Sequence, residues 1–213
     1  RVLYGKQMKV DPKNPNWEGR DYLVMSKGHA APAVEAALAE LGFFDKKLLL
    51  TMDDIGTRIP SHVDRLLTPG IDVTCGSLGQ GASVAAGIAY GLKHAGISNQ
   101  HVYVCIGDGE LNEGQNWEAF QFMAHNKLNN CIVFIDNNKR QHDGYCDEVL
   151  KPFSYEEKMK AFGFWCKTVD GASEEAIDDG INEAKAVKDQ AVCIVLDTIK
   201  GQGVKYYEEM PDN

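Results

Sequence analysis

The sequence predicts an α/β fold: a mostly parallel β-sheet with helices on both faces. Three observations carry this expectation. Short apolar runs rich in β-branched residues stand at 102–106, 131–136, 164–169 and 191–198. Such runs, four to eight residues long and bounded by turn formers, read as strands. Between them lie segments with helical spacing at 115–126, 154–162 and 174–188. The strands are continuously apolar, as in Cys131-Ile132-Val133-Phe134-Ile135, which is the pattern of strands covered on both sides.

The remaining elements follow in order. Residues 5–27 read as irregular, with Asp11-Pro12-Lys13-Asn14-Pro15-Asn16 as turn material. From His29 to Leu41 small and apolar residues recur at helical spacing, and Gly42 is the expected C-cap. Residues 56–81 are loop-rich, and 80–95 is an Ala- and Gly-rich helix whose small residues suit close packing against the sheet or another subunit. Ser173 is the expected N-cap of the 174–188 helix, although Ala176 stands where a capping box needs an acid or amide. Arg1 is not an initiator methionine, and Arg1-Val2-Leu3-Tyr4 reads as the end of a helix already under way. A missing start is therefore expected.

Composition narrows the function class. A chain of 213 residues with 44% hydrophobic and 25% charged residues can bury a sizeable core as one domain. A net charge of -9 and a pI near 5.1 exclude the basic stripe of a nucleic-acid surface. No run approaches the apolar length of a membrane span, and no signal peptide is visible. Cys75, Cys105, Cys131, Cys146, Cys166 and Cys193 form no CxxC pair. They read as buried reduced thiols of a reducing compartment, which implies a cytoplasmic location.

The chemistry concentrates at two strand ends. Ile106-Gly107-Asp108-Gly109-Glu110 ends one strand, and Ile135-Asp136-Asn137-Asn138 ends the next. Either could be a simple turn. Together they place a carboxylate and a carboxamide at the carboxyl ends of neighbouring strands, where open α/β sheets bind ligands. Two oxygen donors beside Gly109 suit a hard cation such as Mg2+ that shares its shell with phosphates. A backbone carbonyl just beyond, such as that of Arg140, would supply a third ligand. Gly109 lacks a Cβ, so its N–H could approach a phosphate.

Gly107-Asp108-Gly109 followed by Asn138 resembles the thiamine diphosphate motif, and the surrounding sequence resembles the transketolase family. The supporting segments are Ser26-Lys27-Gly28-His29-Ala30, Ile59-Pro60-Ser61-His62-Val63-Asp64, Gly76-Ser77-Leu78-Gly79-Gln80-Gly81, Gly107 through Gly114, and Lys200-Gly201-Gln202-Gly203-Val204. They span essentially the whole chain.

The resemblance implies one thiamine-diphosphate-binding domain over residues 1–213, truncated at both ends. It implies catalytic roles for His29 and His62, with His29 also near the diphosphate. Gly76, Ser77, Leu78, Gly109 and Asn138 would contact the cofactor. Asp108, Asn138 and the carbonyl of Arg140 would hold Mg2+, or Ca2+ or Mn2+ in its place. Glu113 would belong to an acidic network across a dimer interface. His94, His101, His125 and His142 read as solvated. The flanks of His62 depart from the family, which has Gly and Pro where this chain has Ser61 and Val63.

The activity implied is transfer of a two-carbon ketol unit from a ketose phosphate to an aldose phosphate, as in the pentose phosphate pathway. The cofactor-activating glutamate of the family lies on a pyrimidine-binding domain, so the expected partner is a separate C-terminal pyrimidine-binding subunit, with assembly into a heterotetramer. The alternatives are a deoxyxylulose phosphate synthase-like enzyme, a sulfosugar transketolase, or a non-catalytic binding paralogue. A Rossmann dinucleotide site is disfavoured because no GxGxxG follows a strand and opens a helix.

Overall fold

A computed structural model describes residues 1–210. Its elements, in chain order, begin with strand β1 (Tyr22–Met25), helix α1 (Ala31–Leu41), helix α2 (Gln80–His94), strand β2 (Val102–Gly107), helix α3 (Gly114–His125) and strand β3 (Cys131–Asn137). A small hairpin of β4 (Arg140–Gln141) and β5 (Gly144–Tyr145) follows, then a one-turn helix α4 (Cys146–Val149). The chain continues through α5 (Tyr155–Ala161), β6 (Phe164–Asp170), α6 (Glu174–Ala186), β7 (Ala191–Asp197) and α7 (Lys205–Glu208).

The five long strands form one sheet in the order β1-β2-β3-β7-β6. Every described pairing in it is parallel. The chain steps from β2 to β3, skips one place to the edge strand β6, then turns back to β7. Right-handed crossovers put the connecting helices on one face for forward steps and on the other for the return. The packing agrees. On one side, alternate strand residues such as Val104, Val133 and Cys193 pack with residues of α2, α3 and α5. On the other, Tyr103, Ile132 and Ile194 pack with residues of α1 and α6. Each fully buried aliphatic here contributes about 1.5–3 kcal/mol.

Most elements match the sequence reading. Gly42 closes α1 with φ +89°, a backbone angle that favours glycine. The Ser173 hydroxyl accepts the Ala176 N–H at 3.1 Å and caps α6. Ala82, Ala85, Ala86 and Ala89 of α2 are buried against the sheet, while Gly87 and Gly91 have open space beside them. All six cysteines are free and five are buried.

One expectation is corrected. Residues 5–27 are not wholly irregular: β1 lies there, and Leu3–Gln7 forms a π-helical turn. Four residues are too few to show a period, so β1 exists because its backbone pairs with β2, Tyr22 opposite Val102 and Met25 opposite Cys105. The hairpin β4–β5 likewise carries no sequence period, its strands being two residues each.

Candidate active site

Parallel pairing aligns four strand ends. Gly107 lies opposite Asp136, and Asn137 opposite Asp197. The residues that follow β1, β2, β3 and β7 therefore emerge side by side. A cleft of about 880 Å³ opens over them, lined by Lys27, His29, Leu78, Asp108, Asp136, Asn138, Arg140, His142 and Lys200 among others.

Asp108 is almost wholly buried. One carboxylate oxygen accepts the Gly109 N–H at 2.8 Å, and the other accepts the Lys139 N–H at 2.6 Å. Lys139 reaches that position in a left-handed conformation, φ +66°, which costs a non-glycine residue energy and tends to cluster at functional sites. Its ammonium is tied to the Asp197 carboxylate, and to the Thr198 carbonyl at 2.7 Å. Burial lifts the Asp108 carboxyl above its ordinary pKa, against the pull of the two N–H groups.

Asn138 is held at both ends of its amide. Its Oδ1 accepts the Arg140 N–H at 3.0 Å, and its Nδ2 donates to Asp136 at 3.4 Å. Asp136 also accepts the Thr198 hydroxyl at 2.5 Å and pairs with the Lys27 ammonium. Burial opposes charge on both members of that pair. Their mutual attraction outweighs it, so Lys27 stands above its ordinary pKa and Asp136 below.

The donor chemistry fits a hard cation. The candidate ligands are the buried Asp108 carboxylate and the Asn138 amide oxygen, from adjacent strand ends, with a backbone carbonyl such as that of Arg140 on the hairpin just beyond. Among the described residues no group of three or more His, Cys, Asp or Glu could hold a metal, so a cation here needs the amide and carbonyl oxygens. The raised proton affinity of Asp108 is what a divalent ion would offset.

Gly109 also meets a packing need. A Cβ on it would lie 2.6 Å from the Gln141 Cβ, so its small size lets the β4–β5 hairpin close on the turn. Its N–H already serves Asp108.

The two histidines are brought together. A Cβ on Gly28 would lie 2.5 Å from His62 Cδ2 and 2.8 Å from the Gly76 Cα. The 61–63 and 75–77 segments thus close on the turn that bears His29. Burial first, then Lys27, Lys200 and His62, push the His29 imidazole below its ordinary pKa, which favours its neutral form. The departures beside His62 have local reasons: the Ser61 hydroxyl lies 3.3 Å from His62 Nδ1, and Val63 is buried in the core. Leu78 lines the cleft, while Gly76, Ser77, His62 and Glu113 are exposed and lie outside its lining. Gly79, at φ +85°, is packed so that a Cβ would meet Glu113 Cβ at 2.7 Å.

Sequence reasoning gave no site role to Lys27, Asp136, Lys139, Thr198 and Lys200, although Lys27 and Lys200 stand inside the motifs; His142 is exposed, as expected, and also lines the cleft. Their signal was adjacency: each lies within two residues of a motif position or a strand end.

Residues 1–211 match the family described as the transketolase, thiamine diphosphate binding domain. The chain belongs to the transketolase family. It is 45% identical over 207 residues to the 6-deoxy-6-sulfo-D-fructose transketolase subunit SqwG of Clostridium sp. (strain MSTE9), covering 97% of this chain and 75% of that one. It is 34% identical to an apulose-4-phosphate transketolase subunit of Actinobacillus succinogenes, with 99% and 75% covered. Transketolase from Campylobacter jejuni superposes with a TM-score of 0.88 at 29% identity, covering all of this chain and 35% of that one. This transketolase domain thus spans about a third of the solved transketolases it matches. Among its described residues no helix is long and apolar enough to cross a membrane.

Proposed function

We propose that this chain is the diphosphate-binding, N-terminal subunit of a two-subunit transketolase. The carrying observation is that Asp108, Asn138 and Arg140, the first two just after adjacent parallel strands, line one cleft beside His29. Those three residues would hold Mg2+, and through it the diphosphate of thiamine diphosphate. Bound there, the cofactor supplies an electron sink for breaking a ketose carbon–carbon bond and passing two carbons to an aldose.

The chain's own groups orient and exchange protons. His29, at the cleft wall and biased toward its neutral form, would donate or accept a hydrogen bond beside the reacting centre. His62, packed beside the turn that bears His29, would contact the substrate hydroxyls. Leu78 at the cleft would form one side of the cofactor site, with the backbone of Gly76 and Ser77, beyond the cleft's lining in this chain, continuing it. Gly109 shapes the turn that presents Asp108, and Glu113 reaches across an interface to a second copy. A pyrimidine-binding subunit completes the site in a heterotetramer. The free thiols suit the cytoplasm. The chain itself is one domain.

The donor and acceptor are sugar phosphates of the pentose phosphate type. A sulfonated ketose is the second reading, favoured by the name of the 45%-identical relative. Titration calorimetry with thiamine diphosphate, ATP and NAD, each with and without Mg2+, tests the cofactor assignment. Magnesium-dependent binding of thiamine diphosphate alone is expected, and preference for a nucleotide overturns it. Ketol transfer from a ketose phosphate and from a sulfonated ketose, measured with candidate C-terminal subunits, tests the rest. Full activity of this chain alone would remove the need for a partner.

A further inference from the structure

Glu110 lines the cleft and is buried between the parts of the site, yet neither the metal ligands nor the histidines use it. One carboxylate oxygen accepts the Ser26 hydroxyl, at the end of β1, and the Gly79 N–H at 2.8 Å. The other accepts the Gly107 N–H at 3.1 Å, at the end of β2. Its backbone carbonyl accepts the Asn116 amide of α3 at 2.7 Å. The three groups donating to the carboxylate are neutral. The contacts around it are tight: a Cβ on Gly81 would lie 2.3 Å from Ser26 Oγ, and one on Gly79 would lie 2.9 Å from Gln115 Nε2.

A buried carboxylate without a cation is costly unless it is fully hydrogen-bonded. Here its bonds go to two segments that present cofactor contacts, the 76–81 loop and the Gly107–Gly109 turn. Backbone N–H groups in a loop and at a strand end have few alternatives when buried. We propose that Glu110 is a positioning residue: its carboxylate sets the 76–81 loop against the Asp108 turn, so that both sides of the diphosphate site form together. This rests on the thiamine diphosphate reading above.

Glu110→Gln tests it with little change of shape. An amide has one acceptor oxygen, so whichever way it turns, either Gly79 or Gly107 faces an NH2 and loses its acceptor. Hydrogen exchange on the full chain reads the tether without any cofactor. The Gly79 or Gly107 amide should exchange at least about tenfold faster, while the β3 amides stay protected. Calorimetry with thiamine diphosphate and Mg2+ should show roughly 10–100-fold weaker binding, the range seen when groups that orient metal ligands are lost. Unchanged exchange at both amides overturns the proposal. So does faster exchange with affinity within about twofold of wild type. If the variant also loses protection in β3, Ser26→Ala decides: it removes one donor and keeps the carboxylate, and about threefold or greater loss of affinity supports the role whereas none overturns it. Failure of the wild-type chain to bind thiamine diphosphate would instead strike the functional reading, and the exchange data would still judge the tether.

Discussion

Glu35 offers a quantitative test of the fold beneath the histidines. It lies on α1, just after the turn bearing His29, and is wholly inaccessible with neither carboxylate oxygen hydrogen-bonded. Burial, and secondarily Asp53, raise its pKa from 4.5 to about 7. The native carboxyl therefore keeps its proton to near pH 7, whereas the unfolded chain releases it near 4.5. Between those values the native state binds more protons, so stability falls as pH rises through that window and the full penalty stands above it. At 1.36 kcal/mol per pH unit the penalty is at most about 3 kcal/mol. Asp53 is exposed, so solvent lies close, and screening brings the expectation to about 1–2 kcal/mol. Glu35→Gln should then leave the melting temperature nearly unchanged at pH 4 and raise it by about 2–8 °C at pH 8.5. Calorimetric scans at the two pH values measure this. An equal gain at both, or a loss at pH 8.5, would refute the reasoning.

Three further outcomes concern the site and one the core thiols. Asp108→Asn should weaken thiamine diphosphate binding in the presence of Mg2+ by at least about tenfold, or about 1.4 kcal/mol, and lower the melting temperature of the unliganded chain, because an amide has one acceptor oxygen and leaves either the Gly109 or the Lys139 N–H without its partner. Chelation with EDTA should abolish any rise in melting temperature that thiamine diphosphate gives the wild type, and a rise that persists would exclude a bridging cation. Gly109→Ala should destabilise by about 1–3 kcal/mol through its clash with Gln141, and Gln141→Gly in the same chain should recover part of that loss in denaturant titrations. Burial pushes the Cys131 thiol up to about 12 and Cys193 well above its ordinary value, so neither should react with a thiol reagent at pH 8 until the protein is unfolded.

The long strands were legible because a strand covered on both faces must be apolar along its length, as 102–106 and 131–136 are. The helices between them were legible through spacing and caps such as Gly42 and Ser173. β1 was not, because its four residues carry no period and its existence rests on a partner eighty residues away. In the candidate site, Asp108 and Asn138 stood out because both follow strands. Lys27, Asp136 and Glu110 did not, since a charged residue beside a motif looks solvated until burial gives it a partner.

By itself, then, the sequence determined the α/β class, the helix boundaries, and the residue types able to hold a metal diphosphate, because all three depend on local periodicity and side-chain chemistry. The tertiary structure alone decided which strand ends adjoin, and so that Asp108, Asn138 and His29 share one cleft. It also decided that Gly109 makes room for Gln141 and that Glu110 joins two loops. Those are contacts between segments distant in the chain, set by parallel pairing and burial, and no local pattern encodes them.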